Sequence, residues 1–288
     1  MPDPRVGVVV ATRNRRASLL RTVDRLRQLD ERPAIVLVDN GSTDGTAAIV
    51  RAAFADVDVV ELGRNRGAAA RNAGLRRLRC PYAALCDDDS WWAPGALGRA
   101  ADVLDADSLL ALVAARILVG EDRRLDPVCA RMARSPLQRA PGAPGPALLG
   151  FVACGAVVRR EAMLAVGGFH RRYGVGGEEQ PLALSLAAAG WQLAYVPDVV
   201  AHHHPADGPR RERAANVIRN DLWSAWLQRP APAALRVTAR VVAGAARRPG
   251  PLARGLVEAI AGTPWVLRER RVLPEPVERA VRLLERSG

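Results

Sequence analysis

The first ninety residues alternate short apolar runs with stretches of helical periodicity, and this alternation constrains the fold more than any other feature. The strand-like runs cover residues 6–10, 35–38, 57–62, which also contains Asp58 and Glu61, and 82–86, and the helical stretches are 19–26, 47–54 and 68–78. Continuous apolar runs of this length are typical of strands buried on both faces of a parallel sheet. The pattern therefore predicts an α/β, Rossmann-like sheet flanked by helices, with ligands bound at the carboxyl ends of its strands.

The fourth apolar run ends in three consecutive carboxylates, Asp87, Asp88 and Asp89. A strand that ends this way places hard oxygen ligands at the edge of the sheet where such folds bind ligands, which indicates a site. The alternative is a solvated acidic turn ahead of a helix that opens near Pro94.

The loops after the first three runs narrow the nucleotide chemistry. The loop at residues 11–16 has no glycine, so the patterns of dinucleotide-binding and P-loop enzymes, and the glycine-rich loop of nucleotidyltransferases, are absent. Asp39 ends the second run and can accept hydrogen bonds from a base or ribose, whereas residues 42–44 can also cap a helix. Residues 63–74 combine small side chains with arginines that can reach a diphosphate.

Several of these segments, in order, resemble the motifs of family 2 glycosyltransferases. They are Val9-Val10-Ala11-Thr12-Arg13-Asn14-Arg15, residues 38–46, Asn65-Arg66-Gly67, residues 70–74, 87–89, Gly167-Gly168-Phe169, Gly177-Glu178-Glu179, and Tyr195-Val196-Pro197 ahead of three histidines. The resemblance covers about residues 5–205. It implies an α/β fold of the GT-A type, with a mostly parallel sheet flanked by helices. On this basis residues 1–205 form the glycosyltransferase domain, with a nucleotide-binding half to about 105 and an acceptor half over 106–205.

The resemblance also implies roles for individual side chains around a nucleotide-diphosphate sugar. Thr12, with Arg13 beside it, and Asp39 resemble residues that hold the nucleoside, and Arg71 one that reaches the base or diphosphate. Asp87 and Asp88 resemble the ribose side of the family's DXD-type stretch. Asp89 resembles its metal ligand, which implies Mg²⁺ or Mn²⁺ as cofactor.

The catalytic base implied by the resemblance is Glu179, the second acidic residue of a pair that opens a helix predicted over 180–189. A carboxylate there can remove the acceptor hydroxyl's proton, and a single displacement would invert the anomeric centre. Pro181 departs from the family pattern, in which another aspartate often stands. The alternative for Glu179 is an ordinary helix-start glutamate.

Three histidines at 202–204 follow a strand-like run, and the resemblance implies that one of them completes the metal site. His202 and His204 are predicted to face the same side of the extended chain. Spacing does not choose between them, His204 is the favoured ligand, and an exposed histidine cluster is the alternative.

The intervening and C-terminal segments carry weaker predictions. Residues 120–146 are interpreted as a mobile loop or an acceptor-side insertion, 151–158 as a strand, and 167–174 as a glycine-rich segment that closes over the substrates. Beyond residue 205, a helical extension over 206–288 is predicted with helices at 210–227, 233–246, 251–260 and 276–284. Tryptophans among its arginines suggest either helices at an anionic membrane surface or helices packed on the domain.

Composition sets the remaining expectations. The net charge of +12 can serve anionic substrates or a membrane, or reflect a general bias toward arginine, and no nucleic-acid-binding motif accompanies it. Four cysteines without metal or disulfide spacing, and the lack of a signal-like or membrane-spanning run, predict a cytoplasmic protein, with a peripheral place at the inner membrane face as the extension of that idea.

The sequence therefore predicts a metal-dependent, inverting glycosyltransferase that uses a nucleotide-diphosphate sugar, with UDP-sugars first among the donors. The alternatives are a sugar-phosphate nucleotidyltransferase-like enzyme and a non-catalytic carbohydrate-binding or scaffolding relative. The acceptor, whether glycan, lipid or small molecule, is left open.

Overall fold

A computed structural model describes residues 2–139, 142–205, 210–245 and 249–287. Its centre is a sheet that has nine strands within these ranges. The first four strands are β1 (Val6–Thr12), β2 (Ala34–Asp39), β3 (Asp58–Glu61) and β4 (Tyr82–Asp87). They lie in the order β3-β2-β1-β4 and pair in parallel, as the continuous apolar runs predict.

Helices α1 (Arg16–Arg27), α2 (Thr46–Ala53) and α3 (Arg71–Arg77) connect these strands, and a 3₁₀ turn over Gly67–Ala70 precedes α3. Strand residues alternate between two apolar layers: Val8 and Val10 belong to one, and Val9 to the other. Both layers are buried around β1, β2 and β4, whereas β3, at the edge of the sheet, is partly exposed and carries Asp58 and Glu61. The Rossmann-like first half is confirmed.

The rest of the sheet is mixed. Its strands are β5 (Ser90–Trp92), β6 (Leu110–Val119), β7 (Arg124–Leu125), β8 (Ala156–Arg159) and β9 (Gln192–His203), and its helices are α4 (Ala96–Ala106), α5 (Pro127–Ala133), α6 (Arg160–Ala165) and α7 (Glu179–Ala188). The strand order continues from β4 as β8-β6-β9-β5, with β7 beside β6. β8 runs antiparallel to β4 and β6, whereas β6 and β9 are parallel.

Two segments differ from the sequence-based interpretation. Residues 120–146 contain β7 and α5, because the Asp126 carboxylate accepts the Val128 N–H at 2.9 Å and Pro127 opens the helix. The short length of both elements hid them from a periodicity test. Residues 151–158 are a strand only from Ala156, after a 3₁₀ turn over Ala153–Gly155. Residues 140 and 141 lie outside the described ranges.

The chain beyond Pro205 is helical in the parts described. Its helices are α8 (Arg210–Gln228), α9 (Ala231–Ala245), α10 (Pro249–Ala261), α11 (Thr263–Glu269) and α12 (Glu275–Ser287). The sequence analysis missed α11, whose first turn carries Pro264. Within the described ranges, every helix is too short or too polar to cross a bilayer.

The tryptophans of this extension do not form an exposed aromatic belt. Trp223 and Trp265 are 8% and 5% exposed and meet edge to face at 5.0 Å, in a cluster that also contains Tyr173. Trp226 is half-buried and donates its indole N–H to Thr238 Oγ1 at 3.0 Å. The rings form the core that joins the extension to residues 170–178, so they do not support the membrane-interface interpretation.

Candidate active site

The carboxyl ends of β1, β2 and β4 bring three of the predicted residues to one edge of the sheet. In the strand register Thr12 stands beside Asp39, and Ala11 beside Asp87. Thr12 and Asp39 are buried, and the Asp39 carboxylate accepts the Ser42 N–H at 3.0 Å. Arg13 lies exposed in the loop that follows. The predicted nucleoside residues therefore share one edge, with Arg13 at its solvent side.

Asp88 follows β4 and contacts the first part of the chain through two hydrogen bonds. Its Oδ2 accepts the Thr12 hydroxyl at 2.9 Å, and its carbonyl accepts the Thr22 hydroxyl at 3.0 Å. Burial raises the pKa of Asp88 to about 6, and the Thr12 hydrogen bond offsets only part of that rise. Asp88 therefore links the turn after β4 to β1 and α1, and its carboxylate is hydrogen-bonded to Thr12.

Arg71 is the charged centre of the site. Its side chain is 9% exposed and forms an ion pair with Asp87, while its guanidinium carbon lies 5.4 Å from the Phe169 ring centroid. Burial alone lowers the pKa of Arg71, but the charges of Asp87 and Glu178 outweigh it and the net shift is upward. One cation thus balances carboxylates from both halves of the chain.

Glu178 and Glu179 stand at the start of α7. Glu178 is buried and accepts the Gly176 N–H, whereas Glu179 is half-buried. Burial, with the neighbouring charge of Glu178, raises the pKa of Glu179 to about 7. A carboxylate with that pKa is matched to proton abstraction near neutral pH.

His202, His203 and His204 lie at the end of β9, and their side chains point alternately to opposite faces of the strand. The rings of His202 and His204 lie 5.7 and 4.5 Å from the ring of Trp91, which agrees with the prediction that they share a side. His204 also approaches Glu121, with Nδ1 3.3 Å from Oε1. His203 points the other way, and its Nε2 is 3.5 Å from Asp89 Oδ1. The structure therefore brings His203, and not the favoured His204, to the carboxylates, because neighbours on a strand point to opposite faces.

One group of metal-capable side chains lies beside Asp89. Ligand atoms of Asp87, Cys154 and His203 fall within 4.8 Å of one another. Burial raises the pKa of the Cys154 thiol well above its usual range while no cation is bound. Hard divalent cations prefer oxygen and imidazole ligands to sulfur, so the aspartates and His203 suit such an ion better than Cys154 does.

The segment ahead of Glu179 is tied to the nucleotide half. Asn72 Nδ2 donates to the Phe169 carbonyl at 2.8 Å, and the Phe169 N–H returns a bond to Asn72 Oδ1 at 2.9 Å. The Ala68 N–H donates to the Gly174 carbonyl at 2.9 Å. A β-carbon on Gly67 would lie 2.5 Å from the Gly174 Cα, so only glycine permits this approach. These contacts anchor the segment that the sequence analysis interpreted as a closing loop.

Helix α8 supports the same segment from the other side. Asn220 Nδ2 donates to the carbonyls of Tyr173 and Gly176 at 2.9 and 2.6 Å, and Ser224 Oγ lies 3.1 Å from the Tyr173 hydroxyl. Gln228 Nε2 donates to the Pro181 carbonyl at 2.9 Å. These α8 side chains are spaced four residues apart, so they form one polar stripe along the helix. The C-terminal extension thereby helps to position Glu179.

Sequence reasoning missed this stripe and the position of His203 beside Asp89. No motif marks Asn220, Ser224 or Gln228, although their spacing of four would have revealed a shared polar face. Asn72 lies within a quoted motif, but its partner is 97 residues away. Only the folded chain identifies such pairs.

The site brings together Thr12 and Asp39 at adjacent strand ends, aspartates beside His203, and the half-buried Glu179 with its raised pKa. The family model for glycosyl transferase family 2 matches residues 7–167, which is more than half of the chain. The chain belongs to glycosyltransferase family 2. The family 2 domain, its named relatives and its GT-A fold make this protein a glycosyltransferase.

Named relatives include a rhamnosyltransferase and a succinoglycan biosynthesis protein. The chain is 26% identical to the N-acetylglucosaminyl-diphospho-decaprenol L-rhamnosyltransferase of Mycobacterium tuberculosis, over 77% of this chain and 86% of that protein. It is 33% identical to the succinoglycan biosynthesis protein ExoU of Rhizobium meliloti, over 33% of this chain and only 29% of ExoU.

Solved structures show the same fold at low identity. The mannosyltransferase PcManGT of Pyrobaculum calidifontis, in complex with GDP-Man and Mn²⁺, matches 99% of this chain and 86% of its own, with 23% identity and a TM-score of 0.60. TarS 1-349 of S. aureus, in complex with UDP-GlcNAc, matches 96% and 83%, with 15% identity and a TM-score of 0.61. The GT-A prediction is confirmed.

Proposed function

We propose that this glycosyltransferase moves a sugar from a nucleotide-diphosphate sugar to an acceptor hydroxyl in one inverting displacement, with Glu179 as general base. The observation that carries the proposal is Arg71, which is paired with Asp87 on the donor side and lies in the field of the Glu178–Glu179 pair. The buried cation couples the two groups of carboxylates into one site. A scaffolding relative would have no need of that arrangement.

The proposed reaction uses Glu179 at a single step. Its carboxylate takes the proton from the acceptor hydroxyl while that oxygen bonds to the anomeric carbon. The bond from the anomeric carbon to the diphosphate oxygen breaks, and the nucleoside diphosphate leaves with the electron pair. One attack from the face opposite the leaving group inverts the anomeric centre.

Asp89 and His203 are proposed to hold a divalent cation, with Asp87 beside them. Carboxylate oxygens and an imidazole nitrogen suit Mn²⁺, and carboxylates also suit Mg²⁺. When bound, the ion supplies positive charge to the departing diphosphate. Thr12, Arg13 and Asp39 are proposed to hold the nucleoside, and Asp88 to keep Thr12 oriented.

The proposed acceptor is a diphospho-polyprenol-linked sugar, the class named in the Mycobacterium tuberculosis relative. UDP-sugars are the first donors to test. A lipid-linked acceptor would place the enzyme at the cytoplasmic face of a membrane, and the net charge of +12 would favour anionic lipid there. Co-sedimentation with anionic vesicles at low salt, compared with neutral vesicles, tests that location.

A nucleotide panel tests the donor side of the proposal. We expect one of UDP, GDP, dTDP and CDP at 100 times its dissociation constant to stabilise the protein by about 2.7 kcal/mol, and the shift to depend on Mn²⁺. Asp89→Ala should abolish the Mn²⁺-dependent part of the thermal shift, because it removes an oxygen ligand, whereas Asp198→Ala on the exposed bend of β9 should leave it unchanged. An unchanged shift in Asp89→Ala would exclude Asp89 as a ligand.

The pKa of Glu179 predicts the pH dependence of transfer. Only the ionised carboxylate accepts a proton, so kcat/KM should fall about tenfold per pH unit below about pH 7 and level off above it. The measurement is the initial rate of nucleoside diphosphate release between pH 5.5 and 9. A flat profile, with the protein folded throughout, would contradict a base with this pKa. Release of pyrophosphate instead would identify a nucleotidyltransferase.

A further inference from the structure

A cavity of about 320 Å³ opens beside the start of α7, between α7, α8, α9 and α12. Gln180, the residue after the proposed base, lines its mouth, and Asp221 of α8 lines its wall. Most of the remaining wall is aliphatic, including Leu184, Val237 and Leu284. The donor carboxylates at 87–89 do not line this cavity.

Asp221 is the unusual residue of this cavity. Its Oδ1 would lie 3.7 Å from a β-carbon on Gly177, so the carboxylate sits directly against the segment that carries Glu179. Among the residues that the structure describes, none forms an ion pair or a side-chain hydrogen bond with it. Burial raises the pKa of Asp221 to about 6, and no neighbouring charge contributes to that shift. Asp221 keeps part of its surface exposed, so its carboxylate can exchange bound water for the hydrogen-bond donors of a ligand.

The other charges of the cavity indicate what kind of ligand fits. Arg229 is already paired with Glu278 and Glu285, and Arg240 approaches Glu285. Both arginines are therefore held by carboxylates, and Asp221 is the lining carboxylate that remains open to the hydrogen-bond donors of a ligand. A neutral sugar provides hydroxyl or acetamido donors for the carboxylate and C–H faces for the aliphatic wall.

We propose that this cavity is the acceptor-sugar subsite and that Asp221 accepts hydrogen bonds from hydroxyl or acetamido groups of the acceptor. This inference rests on the proposed function, because it places the acceptor in a cavity beside the start of α7, the helix that carries Glu179. Gln180 and Asp221 then border the acceptor, while 87–89 border the donor. Asp221 acts by binding and orienting the sugar, and takes no part in proton transfer.

The test is saturation-transfer NMR on the full chain, in the presence of the nucleotide that the panel selects and of diamagnetic Mg²⁺ in place of Mn²⁺. The probes are methyl glycosides of N-acetylglucosamine, glucose, galactose, mannose and rhamnose at millimolar concentration. We expect at least one probe to bind the wild type, and Asp221→Asn to weaken its binding by roughly tenfold or more, since a charge-assisted hydrogen bond is lost. Asp198→Asn is the matched control and should bind the probe as the wild type does.

A second variant guards against a folding defect in Asp221→Asn. Val237→Trp narrows the cavity from its half-exposed wall and should also abolish the probe signal while the nucleotide-dependent thermal shift remains. If no probe binds the wild type, or if both variants bind as well as the wild type, the cavity is not a sugar subsite. Failure of the nucleotide panel would instead contradict the donor side, so the two proposals fail by different measurements.

Discussion

Glu179→Gln is expected to lower the rate of sugar transfer by roughly 10²- to 10⁴-fold, the usual contribution of a positioned general base. Glutamine keeps the shape of the side chain but cannot accept the proton of the acceptor hydroxyl. Nucleotide binding should be nearly intact, because the proposed donor residues lie on the Asp87 side of Arg71, whereas Glu179 lies on its other side. The measurements are kcat for nucleoside diphosphate release and the nucleotide-dependent thermal shift.

Glu161→Gln provides the matched control, since Glu161 is an exposed glutamate in the first turn of α6. Its rate should equal that of the wild type. The residual activity of Glu179→Gln should also lose the pH dependence near 7, because the titrating group is gone. A variant that keeps more than a tenth of the wild-type rate would show that another group removes the proton.

Among the variants considered, Arg229→Met is expected to lower the free energy of unfolding the most. Arg229, the residue after α8, pairs at 2.8 Å with Glu278 of α12, whose side chain is fully buried, and also with Glu285. Removing one partner of a buried pair leaves an uncompensated charge and costs roughly 3–5 kcal/mol. The low end applies here, because Arg282 still reaches Glu278 at 2.9 Å. The melting temperature should fall by about 10 °C.

Two companion variants test the physical reason for that loss. Arg279→Met removes an exposed pair on the same helix and should cost less than about 1 kcal/mol. Adding Glu278→Gln to Arg229→Met should recover part of the lost stability, since the buried charge is removed. If the double variant is less stable than Arg229→Met, the loss comes from packing and not from charge.

The same pair predicts an acid dependence. Burial raises the pKa of Glu278, but the Arg229 and Arg282 hydrogen bonds outweigh it, and the net pKa lies below the usual 4.5. A lowered carboxylate pKa stabilises the fold above about pH 4.5, and that stabilisation is lost as the pH falls through the folded value. Thermal melts between pH 7 and 3 should show this decline in the wild type and a weaker one in Arg229→Met.

Features encoded within a single element were predictable from the sequence. The apolar runs predict β1, β2 and β4 because strands buried on both faces give an uninterrupted apolar signal, and the motifs place Thr12, Asp39 and Asp87 at strand ends. Alternation along β9 also gave the shared face of His202 and His204. What alternation cannot give is which face looks toward Asp89, because that depends on how β9 pairs with β5 and β6.

Features that depend on distant parts of the chain were not predictable. Trp223 and Trp265 have the same local sequence signal whether they lie on a membrane or pack on Tyr173. The sequence around Arg71 does not indicate that its charge interacts with both Asp87 and Glu178. The roles of Asn220 and Gln228 depend on a helix docking against a loop more than forty residues earlier. Each is a tertiary contact without a local pattern.

The polar stripe of α8 has a consequence for recombining members of this family. The family model ends at residue 167, which makes that position look like a natural point for joining two enzymes. A crossover there would place Phe169 and its partner Asn72 in segments from different enzymes. If the new segment ended before residue 228, it would also separate Glu179 from part of α8, whose side chains hold the chain on either side of it. Chimeras that exchange residues 168–287 as one block, together with a matching Asn at 72, should retain an aligned base.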